Sequence, residues 1–439
     1  MLSNSKSFPI IEPLLPVKLG KGSIHFAQGI RAGRWIFVSG LLAQDFKNGI
    51  APAVTHKELP HSGLPKGEKE TTLIFDHLEK VLEAGGTNLA NVVRTDQYYT
   101  SVKAVPPYQS VRHVRFGAQI PPSTSIVQGR MVLPDGDLQV QAIAVLPEDG
   151  FQPQHLTAEN LEARETAGYS PGLAVGDFVF IAGITSMAQP GEPQNNALPL
   201  VAQLEKGVLW GGVPVELETE FIINERIMPA LELAGATCDD MVKVQVYLTN
   251  PDDYSAFNKI WTQYFKEHPP ALSVIPCADR GLFVEDGRVE INIIAVKKDG
   301  ATKKEYIDAG VFPGFSDQPQ GILAGDLLFL SALMAIDENG LASGATLDPR
   351  QPLFQSTAAA QAEHILDNVE RLCEAAGTSL RNVVRVQQFH TDIAEFYSVN
   401  QVMARRLNGQ PIPFSAVEVP HPLPVPGCTV MLDIWVYAP

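Results

Sequence analysis

Hydrophobic residues cluster in three short segments that each begin at a glycine. The segments read GRWIFVSG at 33–40, GDFVFIAG at 176–183 and GDLLFLSA at 325–332. Apolar residues at successive positions are typical of a strand that is buried on both faces. A helical pattern follows, as where Ile365, Val369 and Leu372 recur at helical spacing and Gly377 takes the place of a helix-ending glycine.

The elements that follow each of these three segments also correspond to one another. A second apolar strand follows each helix, repeats two and three carry another helix at 254–265 and 396–407, and a final strand covers 289–296 or 430–436. We predict the order β-hairpin, β, α, β, α, β, with both helices on one face of a mixed sheet, which is an α+β layer. The other sheet face is apolar too, so it needs a partner.

Equivalent positions recur at domain-sized intervals. Asn91, Asp240 and Asn382 hold the same place in the pattern, 149 and 142 residues apart. We therefore predict three copies of one domain at 1–150, 151–300 and 301–439, joined by polar linkers near 148–165 and 297–307. Three copies can bury their apolar sheet faces by packing around a pseudo-threefold axis.

Composition narrows the class of protein. Among 439 residues, 45% are hydrophobic and 19% charged, which predicts a folded globular chain. No uninterrupted apolar run is long enough for a membrane span, and the first residues lack the apolar core of a secretory signal, so we expect a cytoplasmic protein. The net charge of −16 argues against nucleic-acid binding. An anionic substrate would need a local cation.

Cysteine and histidine spacing gives no sign of a disulfide scaffold or a metal site. The cysteines are Cys238, Cys277, Cys373 and Cys428, with no C-x-x-C pair. No histidine is spaced from another ligand as a metal motif requires. We expect a reduced protein that needs no metal and no cofactor.

Three strings resemble the RidA (YjgF-type) enamine/imine deaminase family. They are Q-G-I-x-x-G-x-x-I-F-V-S-G at 28–40, the helix end E-A-A-G with S-L-x-N-V-V-R at 374–385, and E-I-N-I-I-A-V at 290–296. The resemblance implies three chorismate-mutase-like domains fused into an intramolecular pseudo-trimer, with a barrel-like sheet core, helices outside and pockets at the interfaces between repeats.

The resemblance also implies site positions, which differ among the three copies. The family's carboxylate-binding Arg falls on Thr124, Leu272 and Phe414, so no copy keeps it. Its strand Glu falls on Gln141, Asn292 and Asp433, and its Tyr on Phe26, Tyr169 and Gln318. Its Ser-Gly pair falls on Ser39-Gly40, Ala182-Gly183 and Ser331-Ala332, and its helix Asn on Arg112, Asn258 and Asn400.

From these positions we predict Asp433 as the catalytic carboxylate, with a raised pKa if it faces inward. Arg112, or the nearby Arg115, is the candidate replacement cation, with Arg130 and Arg280 as further candidates; a solvated helix-face position is the competing interpretation. The predicted substrate-binding residues are Arg112, Tyr169, Ser39, Gly40, Ser331, Phe414 and Asn400.

The predicted function is hydrolysis of an unsaturated amino acid or amino dicarboxylate, of the 2-aminomuconate type, to a keto or enol acid and ammonia. One alternative is a ring-opening amidase of the cyanuric acid hydrolase and barbiturase type, which needs a serine activated by a lysine. Arg94, Lys243 and Arg385 stand at a position that we take as surface-like, so that lysine is not evident. A non-catalytic small-molecule-binding protein is the other alternative. The expected partners are an anionic small molecule and further copies of the pseudo-trimer, with no nucleic acid and no membrane.

Overall fold

The computed structural model describes residues 11–19, 24–47, 49–55, 63–157, 168–188, 198–205, 212–312, 318–348, 350 and 356–439. Residues 1–10, on which the expectation about a secretory signal rests, and 158–165 of the first predicted linker lie outside these ranges. Three six-stranded sheets form from residues 11–145, 154–296 and 304–437.

The first sheet has the order β1-β2-β3-β6-β4-β5. Its strands are β1 (Ile11–Lys18), β2 (His25–Ala32), β3 (Trp35–Leu41), β4 (Val92–Tyr99), β5 (Ser123–Val127) and β6 (Leu138–Val145). Its helices are α1 (Pro52–Thr55), α2 (Lys66–Ala84) and α3 (Val105–Phe116). Strands β4 and β5 pair in parallel across α3, and the other pairs are antiparallel.

The second and third sheets repeat that order. Repeat two contains β7 (Gln154–Leu156), β8 (Gly172–Val175), β9 (Phe178–Thr185), α4 (Pro214–Ile222), a π-helical turn (Ile223–Ile227), α5 (Met228–Leu233), β10 (Met241–Leu248), α6 (Tyr254–Phe265), β11 (Ala271–Pro276) and β12 (Val289–Val296). Repeat three contains β13 (Lys304–Ile307), β14 (Gly321–Ala324), β15 (Leu327–Leu330), the small hairpin β16 (Ile336–Asp337) and β17 (Gly340–Leu341), α7 (Thr357–Ala375), β18 (Val383–His390), α8 (Phe396–Arg406), β19 (Phe414–Glu418) and β20 (Val430–Tyr437).

Local sequence explains where the long helices begin and end. Ser356 caps α7 by accepting a hydrogen bond from the Ala359 N–H at 3.2 Å. Helices α2, α5 and α7 end two residues before Gly86, Gly235 and Gly377, which adopt φ values of 83°, 73° and 72°. Only glycine reaches this left-handed region without a steric cost, so the predicted helix ends are confirmed.

The linkers differ from the prediction in one respect. The stretches near 148–165 and 297–307 contain β7 and β13, which pair with β8 and β14 as edge strands of the following sheets. Their polar residues fit an edge strand, because only one side of such a strand is hydrogen-bonded. The linker and the first strand of each later repeat therefore overlap.

Each sheet buries one face under its own helices and turns the other face to a common axis. Two apolar clusters on that axis draw residues from all three repeats. One contains Trp35, Phe178 and Phe329, and the other contains Tyr98, Tyr247 and Phe389. The predicted α+β pseudo-trimer is confirmed.

The repeats contact one another in a cycle: β5 lies against β9, β11 against β15, and β19 against β3. We call these contacts the 1–2, 2–3 and 3–1 interfaces. The strand ladders of the described residues stop at the edges of each sheet, and isolated bridges such as Ile120–Tyr169 and Met131–Val417 link the repeats. The barrel-like core thus consists of three packed sheets. Among the described helices, none combines the length and apolarity that crossing a membrane requires.

Candidate functional site

A buried polar layer separates the two apolar clusters on the axis. Along β4, Val93 belongs to one cluster and Tyr98 to the other, with Arg94 and Asp96 between them. We define the central polar layer as Arg94, Asp96, Gln141, Lys243, Gln245, Ser273, Asn292, Arg385, Gln387 and Asp433, all of them buried. Arg94, Lys243 and Arg385 are 2%, 1% and 3% exposed, so the prediction that they are surface-like is wrong. They face the axis, where three sheets exclude water.

Asp433 lies within this layer, and its oxygen atoms are occupied. Oδ2 is 3.0 Å from Lys243 Nζ and accepts hydrogen bonds from Ser273 Oγ at 2.7 Å and Gln245 Nε2 at 2.9 Å. Oδ1 accepts from the Trp435 indole at 3.1 Å.

The pKa of Asp433 does not behave as the sequence led us to expect. Burial alone would raise it, but Lys243, Arg385 and the hydrogen bonds from Ser273 and Gln245 together lower the pKa below its ordinary value. The expected rise is therefore wrong. The catalytic role of Asp433 stays a prediction, and its partners are those of a structural ion pair.

A second carboxyl group lies at the 1–2 interface. Glu290, on β12 two residues before Asn292, is 5% exposed. A Cβ atom on Gly183 would overlap Glu290 Oε1 and come within 3.3 Å of Thr124 Oγ1. Glycine at 183 therefore makes room for the carboxyl group. Asn292 Nδ2 donates to Thr124 Oγ1 at 3.1 Å and fixes the threonine beside it.

Glu290 is held mainly in its neutral form. Burial, with a smaller contribution from Asp96, raises its pKa to about 8, against the opposing effects of the Ser125 N–H and Arg94. A carboxylic acid that is protonated near neutral pH can donate a proton and then accept one. Perturbed acids of this kind in interfaces between domains are candidates for catalysis.

Tyr169 lies close enough to both Glu290 and Arg112 for their charges to act on its phenol. Tyr169 is half-buried, and burial raises its pKa to about 12; Glu290 adds to the rise and Arg112 opposes it. Arg112 is 1% exposed on α3, and its Nη1 donates to Ser123 Oγ at 3.2 Å. The solvated helix-face interpretation of Arg112 is therefore wrong. A cation, a phenol and a neutral acid meet at the 1–2 interface.

The other candidate cations lie elsewhere. Arg115 forms ion pairs with Asp76 and Glu79 on α2. Arg130 pairs with Glu418 and Asp392 at the surface, and Arg280 is exposed.

The 3–1 interface has a different character. Phe414 stands where the 1–2 interface has Thr124, and Phe26 where it has Tyr169, with ring centroids 5.1 Å apart. The Ser39 hydroxyl donates to Ala27 O at 2.7 Å and accepts from Phe414 N at 3.3 Å. Gly40, Phe26 and Phe414 line a cavity of about 360 Å³. Asn400 borders a smaller cleft behind the two rings.

At the 2–3 interface, Ser331 and Ala332 are bound to backbone groups. Ser331 Oγ donates to Pro319 O at 2.6 Å and accepts from Leu272 N at 3.0 Å, and Ala332 N donates to Leu272 O at 3.0 Å. Met431 and Ala332 are fully or nearly fully buried there. Binding of substrate by Ser331 stays a prediction.

Comparison with known proteins identifies the family. The family model described as Endoribonuclease L-PSP matches residues 21–146, 160–297 and 319–437. The chain belongs to the endoribonuclease L-PSP family. This is the RidA (YjgF-type) family, so the resemblance seen in the sequence is confirmed, and it holds in all three repeats.

The relatives are single-repeat proteins in length. A RutC family protein of Pyrococcus abyssi is 31% identical over 130 residues, which is 30% of this chain and 87% of that protein. TdcF of Escherichia coli, a reactive intermediate deaminase by name, is 23% identical over 29% of this chain and 86% of its own length. Among solved structures, yeast Mmf1 matches 34% of this chain and all of its own at 21% identity, with a TM-score of 0.27. A chorismatase structure matches 79% of this chain and 93% of its own at 13% identity, with a TM-score of 0.46.

The sequence missed Glu290 because its neighbour competes for the same assignment. Glu290 and Asn292 both point to the inner face of β12, and both are polar. We carried the strand carboxylate of the L-PSP family to Asn292, whereas the residue that abuts Gly183 is Glu290. Glu290 is the first residue of the string E-I-N-I-I-A-V, and this carboxylate at the start of an apolar strand is the feature by which the sequence could have identified it.

Neither of the two serines named for the amidase alternative, Ser39 and Ser331, is paired with a lysine among the described residues. Both use their hydroxyls on backbone groups, as described above. The serine that does accept a hydrogen bond from a lysine is Ser273, 2.8 Å from Lys243 Nζ. Both are sealed in the central polar layer.

Proposed function

We propose that this L-PSP family protein is an enamine/imine deaminase whose reaction takes place at the 1–2 interface. The observation that carries the proposal is Glu290, a buried carboxyl group with a pKa of about 8, placed against Gly183 and beside Tyr169 and Arg112. The name of the relative TdcF supports the same class of reaction.

Glu290 can serve both proton transfers of the proposed reaction. An enamine needs a proton on carbon to become an imine, and neutral Glu290 can supply it. Water then adds to the C=N carbon, and the Glu290 carboxylate can accept a proton from that water. The resulting carbinolamine releases ammonia and leaves a keto acid, which balances the reaction without a cofactor.

Arg112 supplies the charge that binds the substrate. A guanidinium group can hold a carboxylate through two parallel hydrogen bonds. Arg112 stands on helix α3, whereas our prediction from the family resemblance puts Thr124 at the loop position of the family's arginine. The proposed substrate is therefore a 2-imino or 2-enamino carboxylate. The finer assignment, a 2-aminomuconate-type dicarboxylate, rests on the family resemblance alone.

The test uses an imino acid generated in situ by an amino-acid oxidase, with ammonia release measured against time. We expect Glu290→Gln to lower kcat/KM by at least about a hundredfold, the usual range for a lost acid or base. Arg112→Ala should raise KM by at least about tenfold, roughly 1.4 kcal/mol. Glu220→Gln, which removes an exposed carboxylate on α4, is the matched control and should leave both constants unchanged.

Two results would contradict the proposal. Normal ammonia release by Glu290→Gln would place the chemistry elsewhere. An absence of turnover by the wild-type protein on monocarboxylate and 2-aminomuconate-type substrates alike would favour the second candidate, a non-catalytic binding protein. That candidate is supported by the 3–1 interface, where aromatic rings replace the polar groups of the 1–2 interface.

A further inference from the structure

The cavity at the 3–1 interface has the size and lining of a small-molecule site. Its volume is about 360 Å³, within the range of ligand pockets. Phe26, Phe46, Phe396 and Phe414 form its walls together with aliphatic side chains. We propose that this cavity binds a small, uncharged aromatic molecule that carries an N–H or O–H donor.

The four rings form a connected aromatic wall. The centroid of Phe414 lies 5.1 Å from Phe26 and 5.0 Å from Phe396, and Phe26 lies 6.4 Å from Phe46. These spacings are those of interacting aromatic pairs. The edges and faces of the rings offer further aromatic contacts to a flat ligand.

Phe46 is held over the cavity at a conformational cost. It has φ of 61°, a left-handed conformation that is unfavourable for a residue with a side chain. The ring stacks on His77 at 6.0 Å but remains half-buried, so packing within the protein uses only part of it. The remaining surface of the ring faces the cavity that it lines.

Neutral groups replace the charged ones of the 1–2 interface. Gln139 on β6 holds the position of Glu290, and Asn400 on α8 that of Arg112. A carboxylate in the buried part of this cavity would lack the cation that Arg112 supplies at the other interface. The lysine that lines the cavity, Lys47, is exposed at its mouth. Burial of an anion without a paired charge is unfavourable, so the cavity selects an uncharged ligand.

A polar atom directly behind the cavity wall, at Gly40, identifies the donor that the ligand should carry. Gln139 Oε1 is buried and has no hydrogen-bond partner among the described residues. A Cβ on Gly40, which lines the cavity, would lie 2.6 Å from this oxygen. An acceptor left unsatisfied is costly, and an N–H or O–H on the ligand would remove that cost.

The experiment is calorimetric titration of the full chain with indole, with benzoate as the anionic comparison and indene as the analogue without an N–H. We expect saturable binding of one indole per chain, at least about tenfold tighter than that of benzoate. Phe46→Ala should weaken indole binding at least about tenfold. Phe283→Ala is the matched control, because Phe283 also has a positive φ, 59°, but does not line the cavity. Gln139→Met should weaken binding of indole and leave that of indene unchanged.

The outcomes separate this site from the proposed catalytic centre. Retention of indole affinity by Glu290→Gln supports the proposal whether or not deamination is lost. Loss of indole affinity in that variant, equal affinity of Phe46→Ala and the wild type, or tighter binding of benzoate than of indole would each overturn it. If Phe46→Ala does not fold by circular dichroism, Phe46→Leu takes its place with the same expected weakening.

Discussion

Replacement of Asp433 separates a structural role from the catalytic role that the sequence first suggested. The ion pair of Asp433 and Lys243 is 0% and 1% exposed, with 3.0 Å between the charged atoms. In Asp433→Ala, the Lys243 ammonium keeps neutral acceptors at Ser273 Oγ and Leu330 O but loses its counterion. The Trp435 N–H loses its acceptor as well.

The magnitude follows from the burial of the pair. Removal of one partner of a buried ion pair costs about 3–5 kcal/mol, because the other charge stays in a low-dielectric site. We expect Asp433→Ala to lower the free energy of unfolding by this amount. Asp433→Asn keeps an oxygen for Trp435 and should cost less, about 1–3 kcal/mol. The double variant Lys243→Met with Asp433→Leu leaves no unpaired ammonium, so it should cost less than Asp433→Ala alone.

The assay is urea unfolding followed by tryptophan fluorescence and circular dichroism at pH 7.5, beside ammonia release by the folded fraction. We expect the large loss of stability in Asp433→Ala and the wild-type kcat/KM in folded Asp433→Asn. A free energy of unfolding of Asp433→Ala within about 1 kcal/mol of the wild type, together with abolished deamination, would refute the structural role of Asp433. That result would restore Asp433 as the catalytic carboxylate.

Substitutions at three other positions, Glu290, Gly183 and Glu70, test the remaining buried carboxyl groups and their surroundings. At pH 9, Glu290→Gln should have a free energy of unfolding higher than that of the wild type by on the order of 4 kcal/mol, and at pH 5 the two should differ little. The folded pKa of Glu290 is raised to about 8, so the wild type loses stability as pH rises from the unfolded pKa of the carboxyl group through that value. Equal free energies of unfolding at pH 9 would contradict the raised pKa. Gly183→Ala should lower kcat/KM at least about tenfold by displacing Glu290, while Gly344→Ala, with open space around its Cβ, should change nothing. Glu70→Gln should melt near the wild-type temperature and Glu70→Ala well below it, because Gln361 binds the equivalent backbone N–H groups in repeat three with a neutral amide.

The sequence predicted the repeated elements well where local signals are strong. The helix ends at Gly86, Gly235 and Gly377 and the bounds of β12 agree with the pattern, because apolar periodicity and helix-ending glycines act over a few residues. The edge strands β7 and β13 lie in the predicted linkers, and the predicted order, with a single strand after the second helix, omits β5, β11 and β19. These strands are short or contain polar residues and proline, and they form because a neighbouring strand pairs with them.

The site was harder to predict because it depends on contacts between repeats. Whether Glu290 or Asn292 is the site residue is decided by Gly183, more than a hundred residues away. Arg94, Lys243 and Arg385 resemble solvated positions in each repeat taken alone. They become buried only when three sheets meet, and no single-repeat pattern contains that information.

Fusion of the three repeats explains how the interfaces could diverge. In a symmetric homotrimer, every substitution appears at all three interfaces, so a change that suits one pocket is imposed on the others. In this chain, Arg112 occurs at one interface, whereas Asn258 and Asn400 hold the equivalent position in the other repeats. The 3–1 interface carries aromatic rings at the positions where the 1–2 interface carries Thr124 and Tyr169. The overall charge of −16 is therefore compatible with an anionic substrate, because the attraction needs a single buried guanidinium at one interface.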